Sequence, residues 1–331
     1  MTEDTSSASP DWWLVEVPDS EAGSRLDRFL RQTVPGLTQG PVEKMLRSGL
    51  IRLDGGKAKP AARLEAGQIL RLPPHLRDQA PARPVTASPV ATPQLRASFA
   101  EMIVDEGDDW IAINKPSGLA VQGGSGTTRH VDGMLQALAG EAADRMRLVH
   151  RIDKDTSGLL LLARNRAAAR RLTASFADRD MEKTYLALVA GAAPDGLRIT
   201  DPLAKRGHAG FETMTVDPDG QAADSEMRLI DRAGDGCSLV ALRPHTGRTH
   251  QLRVHMAHSG HPIIGDQKYG GLRRDGAAAR PGGVMSRKLH LHAWRLRLPD
   301  GRQIEAPLPA HFLATIDSLG LAMPPADWQF A

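Results

Sequence analysis

The chain has 331 residues, 41% hydrophobic and 24% charged, with a net charge of +3 and a single cysteine, Cys237. These figures fit a globular protein with room for two domains and exclude an internal disulfide framework. No apolar run reaches the roughly 18 residues of a membrane-spanning helix, and the acidic amino terminus has no basic and apolar leader pattern, so no membrane is expected and the expected location is the cytoplasm. Charge is unevenly distributed. Residues 1 to 22 carry six acidic and no basic groups, whereas residues 23 to 72 carry ten basic and four acidic groups. A compact positive segment suits a polyanionic partner.

In chain order, residues 1 to 22 form an acidic segment expected to be largely disordered. From Gly23, Ser24 is placed to cap a helix with Leu26, Phe29 and Leu30 on one face. Thr38 is placed to cap a second helix, with Pro41 in its first turn, Val42, Met45 and Leu46 as its stripe and Gly49 at its end. Ile51 and Leu53 alternate, Asp54-Gly55 makes a hairpin-type turn, and Gln68 to Leu72 reads as a closing strand. Residues 73 to 97 are a proline-rich linker holding Pro73, Pro74, Pro81, Pro84, Pro89 and Pro93. Regular patterning resumes and defines a second domain over residues 98 to 322, followed by a tail over 323 to 331.

Within that domain, Met102 to Asp105 and Trp110 to Asn114 read as a strand pair, followed by a Gly-rich loop from Gly118 to Gly126. Leu159 to Ala163 is an apolar, buried-type strand, and Ala167 to Ala177 is a helix with Leu172 and Phe176 on one face. Thr184 to Val189, Ser225 to Ile230, Ser238 to Leu242 and Leu289 to Leu298 are strands. In the last, the apolar alternation slips phase, which predicts a bulge near Trp294. Many strands and few helices give an α+β domain with a mixed, largely antiparallel sheet.

Three segments carry chemistry. His150 to Asn165, HRIDKDTSGLLLLARN, sets Asp153 between Arg151 and Lys154 in front of the apolar strand. Lys183-Thr184-Tyr185 opens an alternating strand and supplies one of two tyrosines. Pro244 to His255, PHTGRTHQLRVH, places Thr249 as the cap of a helix carrying Leu252, Arg253 and Met256. His245, His250, His255, His258 and His261 lack a recognised ligand spacing with Cys or paired carboxylates, so no metal site is expected. Ser157 has no nucleophile elbow around it, and Gly123 to Gly126 lacks the Lys-Ser/Thr ending of a phosphate loop.

These three segments resemble, in order, the HRxDxxTSG, KxY and TGRTHQxRVH motifs of the RluA-type pseudouridine synthases, which isomerise uridine within RNA. The segments RLDRFL and IRLDGGKAKPAARLEAGQIL resemble the αL RNA-binding domain of ribosomal small-subunit protein four. That likeness departs from the usual pattern at Gln39, where a basic residue is common, and at Gln68, where Asp is usual.

The resemblance implies a pseudouridine-synthase-type sheet with flanking helices, plus a small αL domain over residues 23 to 72. It makes Asp153 the catalytic carboxylate, Tyr185 a stacking and proton-transfer group, and Arg253 the partner of the carboxylate. Arg151, with His150, Lys183, Arg248 and Leu252, is assigned to RNA binding and base flipping. Arg25, Arg28, Lys44 and Arg47 are the RNA-binding groups of the first domain.

Moving uracil from an N1 to a C5 link requires breaking the C1′–N1 bond while water is excluded. Asp153 can attack C1′, stabilise positive charge there, or remove a neighbouring proton, and the sequence leaves these open. The step is redox-neutral and needs no cofactor. The implied substrate is ribosomal RNA, specifically large-subunit (23S) RNA, acted on by a monomer with no obligate protein partner. The alternative is a non-catalytic RNA-binding ribosome-assembly factor on the same fold. A glycosidic hydrolase is disfavoured because no second carboxylate is clearly placed to activate water.

Overall fold

The computed structural model describes residues 12–18, 21–34, 36–79, 91–123, 129–140, 145–207, 213–234, 236–270 and 286–330. The expected disorder of residues 1 to 11, the middle of the linker and the end of the Gly-rich loop lie outside them. The chain forms two compact units, one up to Ser88 and one from Pro89.

The first unit contains β1 (Trp13–Glu16), α1 (Leu26–Thr33), α2 (Gln39–Ser48), β2 (Arg52–Leu53), β3 (Ile69–Leu72) and α3 (His75–Gln79). Its strands form an antiparallel sheet in the order β1-β3-β2. The apolar stripes of both helices meet this sheet around Leu26, Leu30, Val42, Ile51, Leu70 and Leu72, all fully buried. Asp54 and Gly55 both take positive φ, 48° and 75°, as a tight hairpin turn requires. Gly49 ends α2 in the left-handed region.

Three expectations are corrected here. Trp13–Glu16 pairs with β3, so the acidic segment expected to be disordered contributes a strand, and Trp12 stacks against Arg71. α1 is preceded by Arg25 rather than capped by Ser24, and Thr38 precedes α2 without a side-chain cap bond. His75–Gln79 is helical within the proposed linker.

The second unit runs through α4 (Pro93–Ala100), β4 (Ile103–Glu106), β5 (Trp110–Lys115), α5 (Val131–Ala139), β6 (Arg147–Leu148), β7 (Ser157–Ala163), α6 (Arg166–Ala177) and β8 (Glu182–Ala190). It continues with β9 (Gly196–Ile199), β10 (Leu203–Arg206), β11 (Thr213–Val216), β12 (Ser225–Ala233), β13 (Cys237–Pro244), α7 (Gln251–His258), β14 (Leu291–Arg297), β15 (Gln303–Glu305) and α8 (Ala310–Leu319). Among the described residues, ten strands make one sheet in the order β4-β5-β7-β14-β8-β13-β12-β9, with β6 on β7 and β15 on β14. Its pairings are antiparallel except β7 with β14, a parallel junction of two residue pairs, Ser157 with His292 and Gly158 with Ala293. The α+β class with a mixed, largely antiparallel sheet is therefore as the alternation indicated.

The junction needs a glycine. Gly158 has φ +106°, and a Cβ there would lie 2.2 Å from the Ala293 carbonyl oxygen. The phase slip in the last strand is a bulge between Ala293 and Arg295, at Trp294. β7 is buried along its whole length, as the continuous apolar run requires.

At both ends this unit reaches beyond its expected limits. Thr92 caps α4 by accepting the Leu95 N–H at 3.2 Å, and Phe99 packs in the core, so the end of the linker is structural. The expected tail also packs. Arg295 donates to the carbonyls of Trp328 and Ala326 at 2.6 and 2.9 Å, and the Phe330 ring lies 4.3 Å from the Arg243 guanidinium.

Candidate active site

The loop between β6 and β7, the start of β8 and the turn leading into α7 converge on one cleft of about 850 Å³. Asp153, Tyr185 and Arg253, far apart in the chain, all line it. The Asp153 carboxylate is 17% exposed, with Oδ2 at 3.6 Å from Arg253 Nη1. An ion pair at that distance leaves its oxygens available to another molecule.

Arg253 has a closer partner than expected. Its Nε and Nη2 donate to the two oxygens of Asp266, both at 2.8 Å. Asp266 Oδ1 also accepts the backbone N–H groups of Lys268 and Tyr269, at 3.0 and 3.1 Å. The Arg253 and Asp266 side chains are 6% and 1% exposed, and a buried guanidinium needs such a bidentate partner. The implied pairing of Arg253 with Asp153 is present at 3.6 Å, and Asp266 is a second, closer partner. Arg253 is fixed by Asp266 and presents its remaining edge to Asp153.

Asp266 was missed because its loop, GDQKYG, carries no chemistry-like spacing. The available signal was that a buried Arg beside a carboxylate reserved for substrate needs a second acid.

Asp153 is also pinned from behind by a residue the sequence reading passed over. Lys115 is fully buried at the end of β5, and its Nζ donates to the carbonyls of Pro116, Leu119 and Lys154 at 3.0, 2.9 and 3.0 Å. Burial lowers its pKa to about 7, with Asp155 and Asp153 pulling it back up. Gly118 N–H donates to the Lys154 carbonyl and Ser117 Oγ to that of Asp155, at 2.9 and 2.7 Å. The loop carrying Asp153 is therefore tied, through the Lys154 and Asp155 carbonyls, to Lys115 and the turn that follows β5.

Burial raises the Tyr185 pKa beyond the ordinary phenol range, and the Asp153 charge adds to the effect. Tyr185 therefore enters the cleft as a neutral phenol. Lys183 lines the same wall, and burial lowers its pKa, with Arg179 assisting. Arg151 is exposed at the cleft and has no hydrogen bond or ion pair among the described residues.

His150 is engaged otherwise than expected. Its Nε2 accepts the Leu161 N–H at 2.8 Å, its ring stacks on Phe176 at 4.2 Å, and burial lowers its pKa to about 3. It lines the cleft as a neutral brace for the loop.

The TGRTHQ turn is organised by Gln251. Its Oε1 accepts from Thr246 Oγ1 and Arg248 N–H at 2.6 and 3.0 Å, and its Nε2 donates to the Asp224 carbonyl and Ser225 Oγ, both at 2.9 Å. The residue preceding α7 is His250, with left-handed φ of 54°, which corrects the expected Thr249 cap. Leu252 is 6% exposed, packed among Val240, Leu242 and Leu291 at the cleft wall. Arg248 also lines the cleft, its Nε donating to the Ala222 carbonyl at 2.9 Å. Of the other histidines, His255 lies between Ser225 Oγ and the Asp201 carbonyl, and His261 faces the Ala190 carbonyl.

In the first unit, Lys44 and Arg47 are exposed on α2. Arg28 is half-buried on α1. Arg25 is committed in part to Asp27, to which its Nη2 donates at 2.7 Å.

Residues 109–258 match the family model for RNA pseudouridylate synthase, a span that includes Asp153, Tyr185 and Arg253. Ribosomal large subunit pseudouridine synthase C of Vibrio cholerae is 36% identical over 307 residues, 90% of this chain and 94% of that protein. The Escherichia coli K12 protein of the same name is 36% identical over 309 residues, 91% and 94% of the two chains. The structure of human RNA pseudouridylate synthase domain containing 4 superposes with a TM-score of 0.58 at 27% identity, covering 70% of this chain and 98% of that one. The chain belongs to the RNA pseudouridine synthases, in their RluA-type branch. It is an isomerase that converts uridine in RNA to pseudouridine.

Proposed function

We propose that this enzyme modifies ribosomal RNA of the large subunit in the cytoplasm, as a monomer without an obligate protein partner, and that Asp153 is its catalytic carboxylate. The names of its relatives, which match 90% and 91% of the chain, support the target. One observation carries the assignment of Asp153. It is the carboxylate held in the cleft by a cation that a second, fully buried acid has already fixed.

A uridine flipped out of its stack enters the cleft at a cost of a few kcal/mol, and Arg151 takes the vacated space. The phenol of Tyr185 offers a face to the base and a polar group near C5, whose proton must leave once C5 has bonded to C1′. Arg253, 3.6 Å away, holds Asp153 aimed at C1′ or its neighbouring hydrogen. The apolar wall that includes Leu252 keeps out the water that would hydrolyse the detached sugar. Lys183 and Arg248 serve the phosphates at the rim. Residues 23 to 72 serve as the RNA-binding domain, with Lys44 and Arg47 as its exposed cations.

The test is mapping of pseudouridine in large-subunit RNA from cells with and without the gene, complemented by wild type or Asp153→Asn. Loss of specific sites restored by wild type alone is the expected result. Restoration by Asp153→Asn would overturn the assignment. Turnover should also survive exhaustive chelation, since the isomerisation needs neither oxidant nor Lewis acid.

A further inference from the structure

His250 lines the cleft from a left-handed backbone, φ 54°, a conformation disfavoured for most residues. Its ring stands edge-on to Tyr269, with centres 5.5 Å apart at 71° and Nδ1 at 2.7 Å from the phenol oxygen. That oxygen accepts the Met214 N–H at 3.2 Å. The phenol keeps its own proton to donate, and Nδ1 is the ring nitrogen within reach to accept it.

Burial raises the Tyr269 pKa, so the phenol keeps its proton. Burial also lowers the His250 pKa, Arg253 and Lys268 pushing the same way while Asp153 and Asp266 oppose. With Nδ1 accepting, the ring's own proton sits on Nε2. Nε2 has no protein partner among the described residues, and it is not among the buried unsatisfied atoms.

We infer that His250 is a further substrate-contacting group: a neutral donor, its tautomer set by the positioning residue Tyr269, that offers Nε2–H to a carbonyl oxygen of uracil in the cleft. The inference rests on the reading that this cleft takes a flipped uridine. When the C1′–N1 bond breaks, its electron pair stays with uracil and spreads onto the carbonyl oxygens. A fixed donor stabilises that charge and holds the free base while it turns. A neutral imidazole does so without forming the ion pair with Asp153 that an imidazolium would form.

The test uses the full-length enzyme and ribosomal RNA carrying tritium at uridine C5, with release measured for wild type, Asp153→Asn, His250→Asn, His250→Gln and Tyr269→Phe. Asn tolerates the left-handed backbone but has no donor at the Nε2 position, whereas the Gln amide reaches that position. His250→Asn should lose about a hundredfold in kcat with KM little changed, and His250→Gln should recover most of it.

Tyr269→Phe should move the His250 ring from a single Nε2–H tautomer to a mixture of the two, read in the nitrogen chemical shifts of isotope-labelled histidine, with a partial loss of kcat. A purely structural defect would not change the tautomer. If wild type releases no tritium, or Asp153→Asn releases it normally, the reading of the cleft fails. If Asp153→Asn is inactive but His250→Asn keeps wild-type kcat, or the His250 tautomer in Tyr269→Phe matches that of wild type, only this inference fails.

Discussion

Lys115 never reaches solvent, yet three carbonyls depend on it, one of them in the catalytic loop next to Asp153. Lys115→Met keeps the aliphatic length and removes one hydrogen bond from each carbonyl, although those of Lys154 and Pro116 keep the N–H groups of Gly118 and Leu119, and a buried acceptor left unsatisfied costs roughly 1–3 kcal/mol. Chemical denaturation should show a loss of about 3 kcal/mol, and kcat should fall although the residue touches no substrate. Unchanged stability would show that the loop holds itself. Asp266→Asn tests the neighbouring arrangement. It removes the charge that fixes Arg253, so Arg253 should turn toward Asp153 and slow the reaction with little change in RNA affinity. At this scale the sequence exposed the groups that line the cleft, because they sit in dense, polar, motif-like strings. It concealed Lys115 and Asp266, whose partners lie on other elements and whose neighbours give no periodic cue. His150 misled for the same reason: its bond to the Leu161 amide crosses from loop to strand.

Among elements, strands with strong alternation or continuous apolar runs were legible, and so was the bulge at Trp294 from the slipped phase of Leu289 to Leu298. The short hairpin of β10 and β11 was not, since its residues are mostly polar and partly exposed. Nor was α4, because a proline at its first turn reads as linker until Thr92 is seen capping it. This sets where the catalytic unit can be cut. A fragment starting at Ala91 retains the cap and Phe99 in its core and should keep its chemistry. One starting at Ser98 loses most of α4 and should melt at lower temperature in calorimetry. The other end gives a matching expectation. Deleting residues 326–330 removes the carbonyl acceptors of Arg295 and the ring beside Arg243, and should cost about 2 kcal/mol of stability.

For the whole molecule, charge and acid response follow from the two units separately. Lys44→Ala with Arg47→Ala should weaken RNA binding and lower the salt slope by about 1.5, since two fewer phosphates are neutralised. An unchanged slope would mean that this face of α2 is off the RNA. In the second unit, burial lowers the pKa of both His290 and His292 from 6.5 to about 4. Between those values the unfolded chain binds protons that the folded chain does not, so stability falls as pH drops from 6.5 toward 4. The loss is about 1.4 kcal/mol per pH unit for each histidine, and urea titrations across that range should reveal it. Topology at this scale was invisible in sequence, because the parallel pairing of β7 with β14 joins segments 135 residues apart. Asp153 enters the cleft from the β7 side of that junction, whereas Tyr185 and Arg253 enter from β8 and α7 beyond β14. The enzyme is thus two plates aligned by one dowel, and the dowel is the missing side chain of Gly158. A single methyl group there acts as a shim: Gly158→Ala should leave each plate intact while setting the carboxylate and its partners out of true, a fault of alignment that no added substrate can correct.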